Sequence, residues 1–174
     1  SIWLVTSDGT LYETAEGRDG ARVNYTRHRT GVDCEVEGLA YDPSLDALLL
    51  ACKHVGRRQR GKLVVYRWAL WGDKDSRLTS LMVSLPDLLR QTTWREFHPS
   101  GIEVDPRTGD YVIISSLDHA LIEITPDGRR VRALALPPAR HAQPEGVTFT
   151  LDGMLLIIDE ARGRTPWLTV YRWR

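Results

Sequence analysis

The stretch Glu37-Gly38-Leu39-Ala40-Tyr41-Asp42-Pro43 sets alternating side chains after a glycine and then runs into turn residues. It recurs in variant form as Ser100-Gly101-Ile102-Glu103-Val104-Asp105-Pro106 and as Glu145-Gly146-Val147-Thr148-Phe149-Thr150-Leu151. Turn chemistry follows each copy: Pro-Ser-Leu-Asp, Pro-Arg-Thr-Gly-Asp and Leu-Asp-Gly. Next comes a β-rich run, 47–52, 111–116 or 154–159. Alternation, a tight turn and a second apolar run predict a hairpin each time.

A third strand is expected at Lys62–Trp68, Ala120–Ile124 and Trp167–Trp173, the first and last both containing Val-Tyr-Arg-Trp. Fourth strands are expected at Leu78–Leu85 and, after Asp127-Gly128, at Val131–Leu136. Four short antiparallel strands per unit, repeated every 45 to 63 residues or so, mark an all-β fold of the β-propeller type. One such meander cannot cover both of its faces, so its neighbours in a ring must do so.

The phase of the repeat is informative. Ile2 to Tyr12 matches second and third strands rather than a first, and the chain stops after a third strand at Arg174. About three and a third blades are therefore expected. They divide as a partial blade 1–32, blades 33–97 and 98–142, and a three-stranded blade 143–174. Such a count predicts a piece of a longer propeller in preference to a half-ring completed by a partner.

Lys plus Arg and Asp plus Glu number 23 each, so no net field draws the chain to nucleic acid or membrane. Its longest apolar run, Met154 to Ile158, is far short of the ~20 residues of a membrane helix. Two cysteines are too few for a disulfide scaffold. With the turn at Pro43–Asp46, Cys52 falls opposite Glu37 and Cys34 lies out of register. That offset predicts two buried unpaired thiols, unless a bulge brings the sulfurs together.

The position before the repeated glycine carries the chemistry. First strands of a propeller line its central channel, so Glu37, Ser100 and Glu145 should converge there, and Asp159 and Glu160 end the last second strand. Oxygen ligands from several segments suit calcium, which takes six to eight. The same carboxylates would equally serve as acceptors for backbone N–H groups at strand starts. Asp33 and Glu35 extend the acidic run and read as a solvated loop, although alternation would put Glu35 on the face of Glu37 as a second-tier candidate.

The loop Lys53–Lys62 holds five basic residues in ten, and Arg57, Arg58 and Arg60 could fork onto a phosphate or carboxylate. It contains no aromatic residue, which argues against nucleic acid. Ser115-Ser116 beside Asp118-His119 lacks the Gly-x-Ser-x-Gly elbow of a serine hydrolase. Trp68 and Trp173 occupy equivalent third-strand positions, which predicts packing between blades rather than a ligand cage. A helical turn is expected at 86–91, opened by Pro86.

Three motifs carry a family resemblance. Glu37–Pro43 with Leu48-Leu49-Leu50-Ala51-Cys52-Lys53 is the first. His98-Pro99-Ser100-Gly101-Ile102 with Thr108-Gly109-Asp110-Tyr111 is the second, and Gln143-Pro144-Glu145-Gly146-Val147 through Asp159-Glu160-Ala161-Arg162-Gly163 is the third. In this order they resemble the bacterial SdiA-regulated family. The resemblance implies a single propeller of five blades, related to six-bladed NHL-type rings, with about one and a half blades preceding this chain. It also implies a place in the bacterial cell envelope behind an N-terminal signal or anchor, and associated calcium.

The expected metal ligands are then Glu37, Glu145, Asp159 and Glu160. The expected function is a non-catalytic propeller that binds a protein or small ligand on one face. A gluconolactonase-type hydrolase using a central divalent ion is the alternative.

Overall fold

The computed structural model describes residues 1–73, 76–161, 163 and 165–174. Arg162 of the third motif lies outside the described residues. The fold is all-β apart from single helical turns, and its strands form four antiparallel sheets, each a meander in chain order. The first sheet contains β1 (Ile2–Val5), β2 (Thr10–Thr14) and β3 (Tyr25–Arg29). The second contains β4 (Cys34–Asp42), β5 (Ala47–Val55), β6 (Lys62–Ala69) and β7 (Leu78–Ser84). A short helix, α1 (Leu85–Leu88), opens near Pro86 as its sequence predicts.

The third sheet has β8 (Gly101–Val104), β9 (Tyr111–Ser115), β10 (Ala120–Ile124) and β11 (Arg130–Ala135). The fourth has β12 (Pro144–Phe149), β13 (Met154–Asp159) and β14 (Trp167–Arg172). Only β3 had no individual expectation. Its sequence Tyr-Thr-Arg-His-Arg is almost wholly exposed and so lacks the apolar alternation that reveals the others.

Three hydrophobic layers join the sheets, one at each boundary. Leu11, Leu48, Leu50, Val64 and Trp68 fill the first, with Trp3 and Val5 packed against them. Leu49, Leu63, Ile102, Ile113 and Ile122 are among those in the second, and Val112, Ile114, Leu155, Ile157 and Trp173 among those in the third. β9 and β10 are buried along their whole length, because the third sheet has a neighbour on each face. That explains why Tyr-Val-Ile-Ile reads as continuous rather than alternating. Each large aliphatic side chain buried here contributes about 1.5–3 kcal/mol.

Trp68 and Trp173 are both buried against the neighbouring sheet, as their equivalence predicts. Trp68 meets Trp3 edge-on at 5.6 Å, and Trp173 meets Phe149 at 6.2 Å. On the outer faces of the end sheets, Leu4 and Tyr25 at one side and Ile158, Leu168 and Val170 at the other are exposed.

The repeated glycines mark where first strands crowd together. β4 packs against β8, and β8 against β12. A Cβ on Gly38 would lie 2.9 Å from Ile102 Cγ2 and 3.2 Å from the Ile102 nitrogen. One on Gly101 would lie 3.1 Å from the Glu145 carbonyl oxygen. Any side chain at either position would push neighbouring first strands apart.

Candidate functional site

The residues before these glycines step out of the ladder. Val36 pairs with Cys52 and Gly38 with Ala51, so Glu37 is left over as a bulge residue. Glu145 is skipped in the same way between Pro144 and Gly146. On β5, Lys53 is likewise skipped, between Cys52 and His54. Bulges re-aim side chains, and here they turn Glu37 and Lys53 toward each other. Lys53 Nζ donates to both Glu37 oxygens, at 2.9 and 2.8 Å.

The Glu37 hydrogen bonds hold the Lys53 ammonium above lysine's usual pKa, against desolvation and with help from the fields of Glu37, Glu145 and Glu35. The Glu145 carboxylate of the fourth sheet thus adds to the field at Lys53 of the second, without contacting it.

In the fourth sheet Gln143 Nε2 donates to Glu145 Oε1 at 3.0 Å and to Glu160 Oε2 at 2.5 Å. Ser100, in the third, is buried and donates to the Pro144 carbonyl at 2.6 Å while accepting from the Ser116 N–H. The equivalent pairs across the three sheets are thus Glu37 with Lys53, Ser100 with Ser116, and Glu145 with Glu160.

One residue further into each second strand sits a buried tie. Cys52 is bonded to Cys34, with Cα atoms 5.7 Å apart. This corrects the expectation of free thiols. The bulge at Glu37 moves Cys52 opposite Val36, close enough to the strand start for the sulfurs to meet. Ser115 donates to Asp118 Oδ2 at 2.6 Å, and that oxygen also accepts the His98 N–H at 2.7 Å.

Asp159 is fully buried, accepts the Gln143 N–H at 3.0 Å, and lies 2.8 Å from His141 Nδ1. His141 Nε2 is in turn 2.6 Å from the Tyr171 hydroxyl. The set is satisfied when Nδ1–H donates to Asp159 and Tyr171 donates to Nε2.

The four carboxylates expected to hold calcium therefore divide among separate contacts. Glu37 is taken by an ammonium, Asp159 by an imidazole and a backbone N–H, and Glu145 and Glu160 share an amide. Among the described residues no three or more acidic, histidine or cysteine side chains group as a metal site. Two carboxylates alone fall well short of the six to eight oxygens calcium takes, so the side chains as placed do not fit the ion.

Sequence reading passed over several members of this face. Lys53 was legible only as part of a basic loop, because regular pairing across the hairpin puts Cys52 opposite Glu37 and only the two skipped residues bring Lys53 to it. His98 rather than His119 is the partner of Asp118, and Ser115 binds that aspartate instead of a histidine. Glu103 faces Thr148 of β12, whose hydroxyl donates to it at 3.0 Å. Burial raises the Glu103 carboxyl above its usual pKa despite that bond and one from the Val104 N–H.

Beside the Glu37–Lys53 pair lies a cleft of about 380 Å³. Lys53, His54, Arg60, Lys62, Arg95 and His98 line it, with Glu96 as the acidic member. Of the arginines expected to bind an anion, Arg60 reaches this cleft. Arg57 and Arg58 stand exposed on a 3-10 turn outside it. That turn is anchored by Gln59, whose Nε2 donates to the Tyr66 hydroxyl at 2.7 Å.

Four antiparallel meanders packed face to face, with the first strands β4, β8 and β12 of three of them side by side, define a β-propeller. The SdiA-regulated family model matches residues 24–162, and the chain belongs to that family. No curated protein matches the sequence.

Among solved structures, the chain is similar to a gluconolactonase from Xanthomonas campestris at 17% identity and a TM-score of 0.55, over 97% of this chain and 56% of that one. It is similar to a chain of a nidogen/laminin complex at 15% identity and a TM-score of 0.60, covering 97% and 60%. For the virginiamycin B lyase of Staphylococcus aureus the values are 13%, 0.52, 98% and 54%. The chain thus spans between half and two thirds of these proteins, and likeness at such identity shows the fold.

Proposed function

We propose that the chain is the ligand-binding portion of a non-catalytic propeller of the bacterial cell envelope, and that it takes an anionic ligand. The observation that carries this reading is the basic cleft beside Glu37, where Lys53, Arg60, Lys62 and Arg95 surround a space of small-molecule size. Guanidinium and ammonium groups converging on one cleft favour carboxylate or phosphate. The Cys34–Cys52 disulfide supports a compartment outside the reducing cytoplasm.

Calcium, which the family resemblance implies, would here have to displace Lys53 from Glu37. The hydrolase alternative draws support from the fold shared with the Xanthomonas gluconolactonase. Against it counts the engagement of Glu37 and Asp159 by internal partners.

Calorimetric titration with inorganic phosphate and with malonate tests the binding reading. Saturable binding of either, weakened about tenfold by Arg60→Gln or Lys62→Gln, is expected. Binding of neither, or binding indifferent to both substitutions, refutes it. Divalent-ion-dependent hydrolysis of gluconolactone that Glu145→Gln abolishes would establish the alternative.

A further inference from the structure

At the opposite end of the second sheet, a cleft of about 640 Å³ opens against the first sheet. Its walls are aromatic: Trp3 from β1, Trp68 from β6, Tyr41 from β4 and Trp71 from the loop after β6. Trp71 is 77% exposed and Tyr41 46%, although both are large apolar rings. A second lobe of about 240 Å³ shares His28, Trp68 and Arg77 with the first and adds Arg27 and Arg29 of β3. One lobe is therefore a set of ring faces, and the other is a set of guanidinium groups.

Trp3 and Trp68 are held by packing. They meet at 5.6 Å, with His28 set 5.5 and 5.1 Å from their respective ring centres. Arg77 lies over Trp68 at 5.1 Å and donates from Nε to the Gly72 carbonyl, which fixes its fork at the junction of the lobes. Glu13 belongs to the aromatic lobe alone, where Ser1 Oγ donates to it at 2.9 Å. Arg27 and Arg29 belong to the other lobe alone, with Arg77 shared between the two.

We propose that this cleft is a second binding site, for a small planar aromatic carboxylate. Its ring enters the aromatic lobe between Trp71, Tyr41 and Trp68, where offset and edge contacts between rings add to the apolar area buried. Its carboxylate accepts from Arg77 and from Arg27 or Arg29, with the forked geometry guanidinium groups offer. Among the described residues, three guanidinium groups against one acid favour an anionic over a cationic guest. The volume lies in the range of small-molecule sites rather than of a flat protein interface.

Titration with 2-naphthoate, followed by quenching of tryptophan fluorescence, tests the site, with the neutral 2-naphthamide as comparison. Saturable quenching by 2-naphthoate is expected, with the amide at least about tenfold weaker. Trp71→Ala should weaken both compounds, whereas Arg27→Gln should weaken 2-naphthoate alone. Arg77→Gln should do the same, and its melting temperature reports whether loss of the Trp68 contact has disturbed the fold.

Inorganic phosphate should not displace 2-naphthoate, which separates this site from the basic cleft at the other end. Equal affinity for acid and amide overturns the proposal. So does quenching unaffected by Trp71→Ala, which would place the probe on another apolar surface.

Discussion

The second and fourth sheets solve one structural problem with different chemistry. In both, the start of the first strand must be fastened to the end of the second, where the chain leaves the ladder through a bulge. The second sheet does it covalently, through Cys34 and Cys52. The fourth does it with Asp159, which holds the Gln143 N–H and His141, the carboxylate and the imidazole both fully buried. In the third sheet, Ser115 and Asp118 hold the His98 N–H at the corresponding place. What the repeat preserves is the position of a fastening, and the side chains used are free to change.

The difference predicts different sensitivities. Asp159→Ala should be the most damaging substitution considered, costing about 3–5 kcal/mol, because it strands a buried imidazole and a buried N–H. Asp159→Asn keeps an acceptor for one of them and should cost less. Urea unfolding at neutral pH measures both, and an Asp159→Ala protein of unchanged stability would show that the network is not a fastening.

Cys34→Ser with Cys52→Ser should cost about 3 kcal/mol, given the 18-residue separation that the bond closes. A reducing agent should reproduce that loss in the unsubstituted protein and have no effect on the doubly substituted one.

The contrast also explains what the sequence makes legible. Strands were visible because Leu-Leu-Leu-Ala and Tyr-Val-Ile-Ile are forced by burial between sheets, and turns because Pro-Ser-Leu-Asp and Asp-Gly permit few conformations. The bulges were invisible. Nothing in Val36-Glu37-Gly38 announces that Glu37 leaves the ladder, yet that step moves Cys52 opposite Val36, within reach of Cys34, and together with the skipped Lys53 brings the ammonium to Glu37. Alternation alone put Cys52 opposite Glu37 and left the thiols apart. His141 could not be paired with Asp159 for a similar reason, since 18 residues and a hairpin separate them.

At the other end of the blades the two sheets differ again. Asp42, in the turn of the second sheet, accepts the Tyr111 hydroxyl of the third at 2.6 Å. Among the described residues Thr150, at the equivalent position in the fourth, binds within its own turn, to Asp152 and Met154. Burial pushes the Asp42 carboxyl up, but the donors Ser44, Tyr111 and Leu45 outweigh it and leave its pKa below the ordinary 3.8.

An acid that ionises more readily when folded stabilises the protein above its unfolded pKa and loses that contribution as pH falls through the folded one. Tyr111→Phe should therefore cost about 2 kcal/mol at pH 7, and the difference from the unsubstituted protein should narrow below pH 3.8. A difference that stays constant between neutral pH and pH 3 would mean that Tyr111 acts through packing alone.

The smallest expected effect concerns calcium, and it returns to the pairs beside the glycines. In the second sheet Glu37 has an internal cation in Lys53, whereas in the fourth Glu145 and Glu160 meet at a neutral amide. A divalent ion offered to the whole face gains little while Lys53 supplies the charge. Millimolar calcium should therefore move the melting temperature by less than about 1 °C.

Lys53→Met removes the ammonium and leaves Glu37, Glu145 and Glu160 without it. Their mutual repulsion should lower stability by about 1 kcal/mol, and calcium should recover about 2–4 °C in melting temperature. A saturable calcium response in the unsubstituted protein, lost in Glu145→Gln, would reverse this assignment and make the fourth sheet's pair the core of a resident calcium site. A flat response in both Lys53→Met and the unsubstituted protein would instead mean that the carboxylates do not converge tightly enough to share any cation.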